Sequence, residues 1–134
     1  MGSGAKHQTV LSVRGYELDS YGHVNNAVYL QYLEQARWVF MKEKGLLDQI
    51  FKDGLFLVVV DTHIRYVQEA NLFDELVIET GLKIEKPYLV FRQRILNKKT
   101  GISVTRATIK TIFLDHKRSA QDIPEVFSNF TKGH

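Results

Sequence analysis

The sequence predicts an α+β domain in which one long, enclosed helix packs against a curved antiparallel sheet. Three observations predict it. Apolar residues recur at spacings of three and four between Asn26 and Lys44. The period becomes two after Gly54 and stays near two as far as Leu114. Short polar turns separate the period-two runs, so the strands follow one another as hairpins and pair antiparallel. A helix and a sheet each have one face to bury, and this element order allows them to bury it against each other.

The first run, Thr9 to Leu18, opens with β-branched residues and alternates loosely, which predicts a strand. In the helix, Tyr29, Leu33, Ala36 and Phe40 form the stripe and Val28, Tyr32 and Val39 flank it. Gln31, Glu34, Gln35 and Lys42 make a narrower polar edge, and Gly45 ends the element. So wide an apolar face predicts a helix enclosed by other structure. Leu46 to Lys52 is expected to add a short helical turn. From Leu55 to Tyr66 the alternation is strict: Phe56, Val58, Val60, Thr62, Ile64 and Tyr66 share one face, which reads as wholly core-like. Leu72 to Ile84, Tyr88 to Leu96 and Ile102 to Leu114 are three further strands, giving a sheet of about five. Lys86-Pro87 marks one turn, "NKKTG" at 97 to 101 is a hairpin loop, and Pro124 opens a last helical turn over Glu125 to Phe130.

A chain of 134 residues, 44% hydrophobic and 25% charged, suits one domain with one core, expected over 1–134. Residues 1–7, opening "MGSGA", are expected to be a disordered or vector-derived tail. The net charge of +3 permits an anionic ligand, but no run of five like charges occurs and no nucleic acid is expected. The absence of cysteine excludes disulfides, thiolate metal sites and cysteine nucleophiles. The longest apolar run, Leu55 to Val60, is far too short to span a bilayer, and without a secretory signal a cytoplasmic location is expected. The five histidines, at 7, 23, 63, 116 and 134, show no metal-ligand spacing, so no metal is expected. Gly15, Gly22 and Gly45 stand alone, which leaves no phosphate loop.

The chemistry gathers at "DSYGHVNNAVY", residues 19 to 29. Each residue there has a plain structural reading. Asn25 or Asn26 caps the helix, Gly22 turns the chain at positive φ, and Asp19 is a loop carboxylate. A cap needs only one polar side chain, however, and five polar or special residues crowd this entrance. A helix N-terminus offers unpaired N–H groups and partial positive charge, which stabilise negative charge developing on a carbonyl oxygen. A carboxylate nearby attacks the carbonyl or activates a water. Carboxylate, turn and helix end together suit hydrolysis of an acyl compound.

The same stretch resembles a known family. "YELDSYGHVNNAVYLQYLEQAR", Tyr16 to Arg37, is similar to the signature of the hotdog-fold thioesterases, specifically the 4-hydroxybenzoyl-CoA thioesterase-like acyl-CoA thioesterases. Asp19, Gly22, His23, Val24, Asn25, Asn26 and Tyr29 stand in the motif's places. "HIRYVQEANLFDEL", His63 to Leu76, resembles the family's strand, turn and strand with its Asp-Glu-Leu ending. The resemblance covers roughly residues 8 to 116. It implies a hotdog fold, a sheet wrapped around a central helix, and subunits paired as homodimers or as homotetramers built from two dimers, with active sites between subunits. It implies hydrolysis of an acyl-CoA to free acid and CoA with no cofactor. Asp19 would be the catalytic carboxylate, the backbone N–H near Asn26 would polarise the thioester carbonyl, and His23 and Asn25 would shape the loop or bind substrate. Family members often carry a proline in the turn after the second strand; here the turn is "VQEANLFD", with Glu69 and no proline.

Other residues carry weaker expectations. Some hotdog thioesterases place a working Glu on the central helix, and Glu34 lies there, although pairing with Arg37 at i, i+3 explains it. Asp61, His63 and Arg65 share one strand face, as a polar row or with His63 reaching a partner's site. CoA carries phosphates, so Lys98, Lys99, Arg106, Lys110, Lys117 and Arg118 are candidate contacts, with solubilising charge as the alternative. Two rival functions stay open. One is an acyl-ACP thioesterase. The other is a non-catalytic hotdog protein that binds an acyl ligand, which the carboxylate at the helix mouth argues against.

Overall fold

The computed structural model describes residues 6–131. It contains β1 (His7–Ser12), α1 (Asn26–Glu43), α2 (Leu46–Lys52), β2 (Phe56–Tyr66), β3 (Glu75–Glu85), β4 (Tyr88–Asn97), β5 (Ser103–Leu114) and β6 (Ala120–Gln121). Short 3-10 turns cover Gly15–Glu17 and Glu125–Phe130. All strand pairs are antiparallel, and the sheet runs β1-β3-β4-β5-β2, with β6 added to β5. The sheet has six strands because Ala120 and Gln121 extend it, a two-residue pairing too short to leave a periodic signal.

The stripe on α1 is the one the spacing predicts: Tyr29, Tyr32, Leu33, Ala36, Phe40 and Met41 are buried. They meet Leu76, Ile78 and Leu82 of β3, Leu89, Phe91 and Ile95 of β4, and Ile109 and Phe113 of β5 in one core. Among the described residues the helix is not enclosed. Leu30 and Trp38 remain 41% and 45% exposed beside the polar edge, so the sheet, α2 and the last 3-10 turn cover only one side.

Two strand expectations are corrected. The first strand is shorter and earlier than Thr9 to Leu18. It starts at His7, inside the segment expected to be a tail, and the remaining tail residues 1–5 lie outside the described residues. It stops at Ser12 because the Glu17 carboxylate accepts the Arg14 N–H at 2.8 Å and winds the chain into a 3-10 turn. β2 has no single core face. A bulge between Val59 and Asp61 inserts Val60 and reverses the alternation. Leu55 and Leu57 pack inward before it, and Ile64 packs inward after it. Among the described residues β2 pairs only with β5, so its other edge is open there, with Phe56, Val58, Val59 and Val60 exposed along it.

Candidate functional site

The polar stretch folds into a tight loop that delivers one carboxylate to the helix mouth. Leu18 bridges Val24, and the Asp19 N–H donates to the His23 carbonyl at 2.8 Å. Gly22 closes the turn at φ +82°. A Cβ there would meet nothing within 4 Å, so the backbone angle, and not space, calls for glycine. Asp19 Oδ1 accepts from the Tyr21 N–H at 2.9 Å and the His23 N–H at 3.3 Å. Among the described residues Oδ2 has no partner, so half of the carboxylate fixes the loop and half is unpaired.

The helix then starts beside it. Asn25 is the cap: its Oδ1 accepts the Ala27 N–H at 2.9 Å, and its carbonyl accepts the Val28 N–H at 2.9 Å. Among the described residues the Asn26 N–H has no acceptor, leaving a free donor at the positive end of α1. Asp19, His23, Val24, Asn26 and Tyr29 line one open cavity of about 640 Å³, with Tyr66, Val67, Gln68, Glu69 and Asn71 as its other wall.

That second wall belongs to the turn that lacks a proline, and hydrogen bonds hold it instead. The Ala70 N–H donates to the Tyr29 hydroxyl at 3.1 Å, the Val24 N–H donates to the Ala70 carbonyl at 3.1 Å, and His23 bridges Asn71. The Tyr66 hydroxyl donates to the Asn26 carbonyl at 3.2 Å. His23 Nε2 lies 3.0 Å from Glu69 Oε2.

Behind the loop sits a buried carboxylate that motif reading missed. Glu17 accepts from the Tyr32 hydroxyl at 2.7 Å and from the Arg14 guanidinium at 2.6 Å, and its carbonyl accepts the Asn25 N–H at 2.9 Å. Burial works to raise its pKa, but the Arg14 and Tyr32 hydrogen bonds outweigh it and hold the carboxyl below its usual range. Burial, then the bond to Glu17, pushes the Tyr32 hydroxyl up. Glu17 thus ties the start of the loop to the second turn of α1. The available signal was Tyr32: a buried tyrosine needs a partner for its hydroxyl.

The other candidate residues lie elsewhere. Glu34 lines a different, apolar cavity of about 180 Å³ with Arg37, Trp38, Met41, Leu47, Ile50 and the start of β2. The expected Glu34–Arg37 pair is replaced: Arg37 donates to Gln93 Oε1 at 3.0 Å, and Gln93 in turn donates to the Leu33 carbonyl and Thr80. Burial lowers the Arg37 pKa. His63 and Arg106 share an outer-face groove with Arg65, Arg92 and Arg94. Lys98 and Lys99 are exposed in the β4–β5 turn, with Lys98 Nζ 3.8 Å from Glu75. Lys110 Nζ sits 5.3 Å from the Tyr88 ring centre, and Lys117 and Arg118 are exposed after β5. None of these cations lines the Asp19 cavity of its own chain. Among the described residues no group of three His, Asp or Glu side chains is placed to hold a metal.

Comparison with known proteins agrees with this fold. The long-chain acyl-CoA thioesterase FadM of Escherichia coli (strain K12) is 36% identical over 111 residues, covering 82% of this chain and 84% of that protein. The chloroplastic acyl-acyl carrier protein thioesterase ATL2 of Arabidopsis thaliana is 29% identical, covering 92% of this chain and 66% of that protein. The crystal structure of the probable thioesterase YbaW from Escherichia coli superposes with a TM-score of 0.86 at 32% identity, covering 93% of this chain and 98% of the other. A 1,4-dihydroxy-2-naphthoyl-CoA thioesterase from Synechocystis shares the fold, with a TM-score of 0.82 at 17% identity over 91% of this chain and 92% of the other. The sequence profile of the thioesterase-like superfamily matches residues 13–130, from the end of β1 to the last 3-10 turn, and the chain belongs to that superfamily of hotdog-fold thioester hydrolases.

Proposed function

We propose that this thioester hydrolase cleaves a long-chain acyl-CoA to the free acid and CoA, with Asp19 delivering the attack and the Asn26 N–H holding the developing oxyanion. The observation that carries the reading is the placement of a half-free carboxylate and a free helix-terminal N–H in one cavity. Asp19 attacks the carbonyl carbon directly or takes a proton from a water that does. Charge then gathers on the carbonyl oxygen, where a fixed N–H costs no reorganisation. A thioester is already activated, and its thiolate leaves readily.

A homodimer completes the site. The open edge of β2 is eleven residues long and apolar from Phe56 to Val60, a template for another strand. Antiparallel pairing of two copies in full overlap sets Tyr66 of one subunit opposite Phe56 of the partner subunit. Tyr66 lines the Asp19 cavity and Phe56 lines the apolar cavity. The catalytic mouth of each subunit then opens toward the apolar cavity of the other, which suits an alkyl chain. The long-chain acyl-CoA named for the FadM relative fits this arrangement. The Arabidopsis relatives named for acyl-acyl carrier protein favour a second reading, in which the same chemistry acts on a carrier-bound acyl group.

The test is thiol release from acyl-CoA esters of increasing chain length, beside the same acyl groups on carrier protein. The absence of cysteine removes protein background from the thiol assay. Turnover is expected on CoA esters, rising with chain length. Turnover on the carrier-bound esters alone would replace the CoA reading with the second one.

A further inference from the structure

The Asp19 cavity holds a close histidine–carboxylate contact whose acidic half lies outside the residue 19–29 motif. His23 Nε2 and Glu69 Oε2 are 3.0 Å apart, and both residues line the cavity with Asp19. Their side chains are 37% and 65% exposed, a setting in which an ion pair adds about 0–1 kcal/mol at most. Folding therefore gains little from the pair. The backbones that carry the two side chains are nonetheless joined. His23 bridges Asn71, and the Val24 N–H donates to the Ala70 carbonyl.

Thioester cleavage makes two demands at opposite sides of the carbonyl carbon. One side needs an attacking oxygen, which Asp19 supplies. At the other the thiolate departs, and a proton delivered to its sulfur as the C–S bond breaks keeps it from returning to the carbonyl. Asp19, Glu69, Tyr29 and Tyr66 are the other titratable groups lining the cavity, and none is imidazole, the side chain that exchanges protons most readily near neutral pH.

We propose that Glu69 is a positioning residue that holds the His23 imidazole as proton donor to the departing thiolate. The inference rests on the thioesterase reading of the cavity. The new C–O bond forms, the carbonyl re-forms, and the C–S electron pair leaves on sulfur. The proton passes from the imidazolium to that sulfur, giving the thiol, and the imidazole recovers a proton from solvent. On the direct route water then hydrolyses the acyl-Asp19 anhydride, releasing the acid, restoring the Asp19 carboxylate and giving a proton to solvent; on the water route the proton taken by Asp19 goes to solvent with the product carboxylate. The role matches that of a carboxylate that orients a catalytic histidine in other hydrolases.

The leaving group tests it. The purified whole chain is assayed on two thioesters of one acyl group, the CoA ester and the thiophenyl ester, whose thiol is more acidic and needs a proton less. Glu69→Gln and Glu69→Ala are expected to lower kcat on the CoA ester about tenfold, and on the thiophenyl ester by less than about threefold. His23→Gln is expected to lose at least as much on the CoA ester, and the double variant no more than His23→Gln alone. Equal losses on both esters, unchanged activity of the Glu69 variants on the CoA ester, or losses that multiply in the double variant would each overturn the assignment. Asp19→Asn failing on both esters keeps the thioesterase reading separate from it. A wild-type protein that cleaves neither ester overturns both.

Discussion

The two ends of α1 are built by opposite means. At the N-terminal end, hydrogen bonds do the holding: two backbone N–H groups on Asp19, a capping Asn25, a bridge to Asn71 and a buried Glu17 on Tyr32. Toward the C-terminal end, burial does it, with buried Met41 and Ile50 lining an apolar cavity that α1, α2 and the start of β2 enclose. Hydrogen bonds have direction, so the first end can fix a reacting group to the accuracy that chemistry needs. Apolar contact has none, so the second end can accept alkyl chains whose length changes the burial and not the alignment. On the proposed function, this difference makes the acting group and the chain-selecting group separable by mutation.

The largest effect belongs to the polar end. Asp19→Asn is expected to lower kcat by about 10²–10⁴ on every chain length while the thermal midpoint stays near wild type, measured by thiol release and by circular dichroism. A loss confined to long chains would break the division. Filling the apolar end comes next. Leu47→Trp is expected to remove about 1–3 kcal/mol of discrimination in favour of long chains, with short-chain turnover kept, read as a ratio of kcat/KM values. A uniform loss would show that this cavity does not hold the chain.

The smallest effect concerns stability. The Glu17 carboxyl sits below its usual range when folded, so its stabilisation is present above the ordinary carboxylate value. It is lost as pH falls through the lowered folded value. Glu17→Gln is expected to cost about 1–3 kcal/mol at neutral pH and to flatten the acid limb of denaturant midpoints measured against pH. An unaltered acid limb would remove Glu17 from the account.

Much of the polar end was legible before folding because it is local. Asp19, Gly22 and Asn25 lie within seven positions, and turn, cap and carboxylate each have their own residue chemistry. The helix stripe was legible because a period of 3.6 survives any tertiary arrangement. What could not be read depends on contacts far apart in sequence. Glu17 looks like one more surface carboxylate until Tyr32 arrives from α1. The inward face of β2 reverses at Val60, and a bulge has no periodic mark of its own. Arg37 finds Gln93, fifty-six residues on, in place of Glu34, three residues back. The apolar cavity needs α1, α2 and β2 together, so no single segment announces it.

On the proposed function, the two ends serve one another across the β2 edge of a dimer. The most direct measurement is co-expression of an Asp19→Asn chain with a Leu47→Trp chain, assayed on a long-chain acyl-CoA. Each variant alone is expected to be poor. A mixed dimer joins the intact Asp19 of one subunit to the intact cavity of the other, so with random pairing about one quarter of wild-type activity returns. A mixture no more active than the sum of its two parents would contradict the account, because each chain would then use its own cavity.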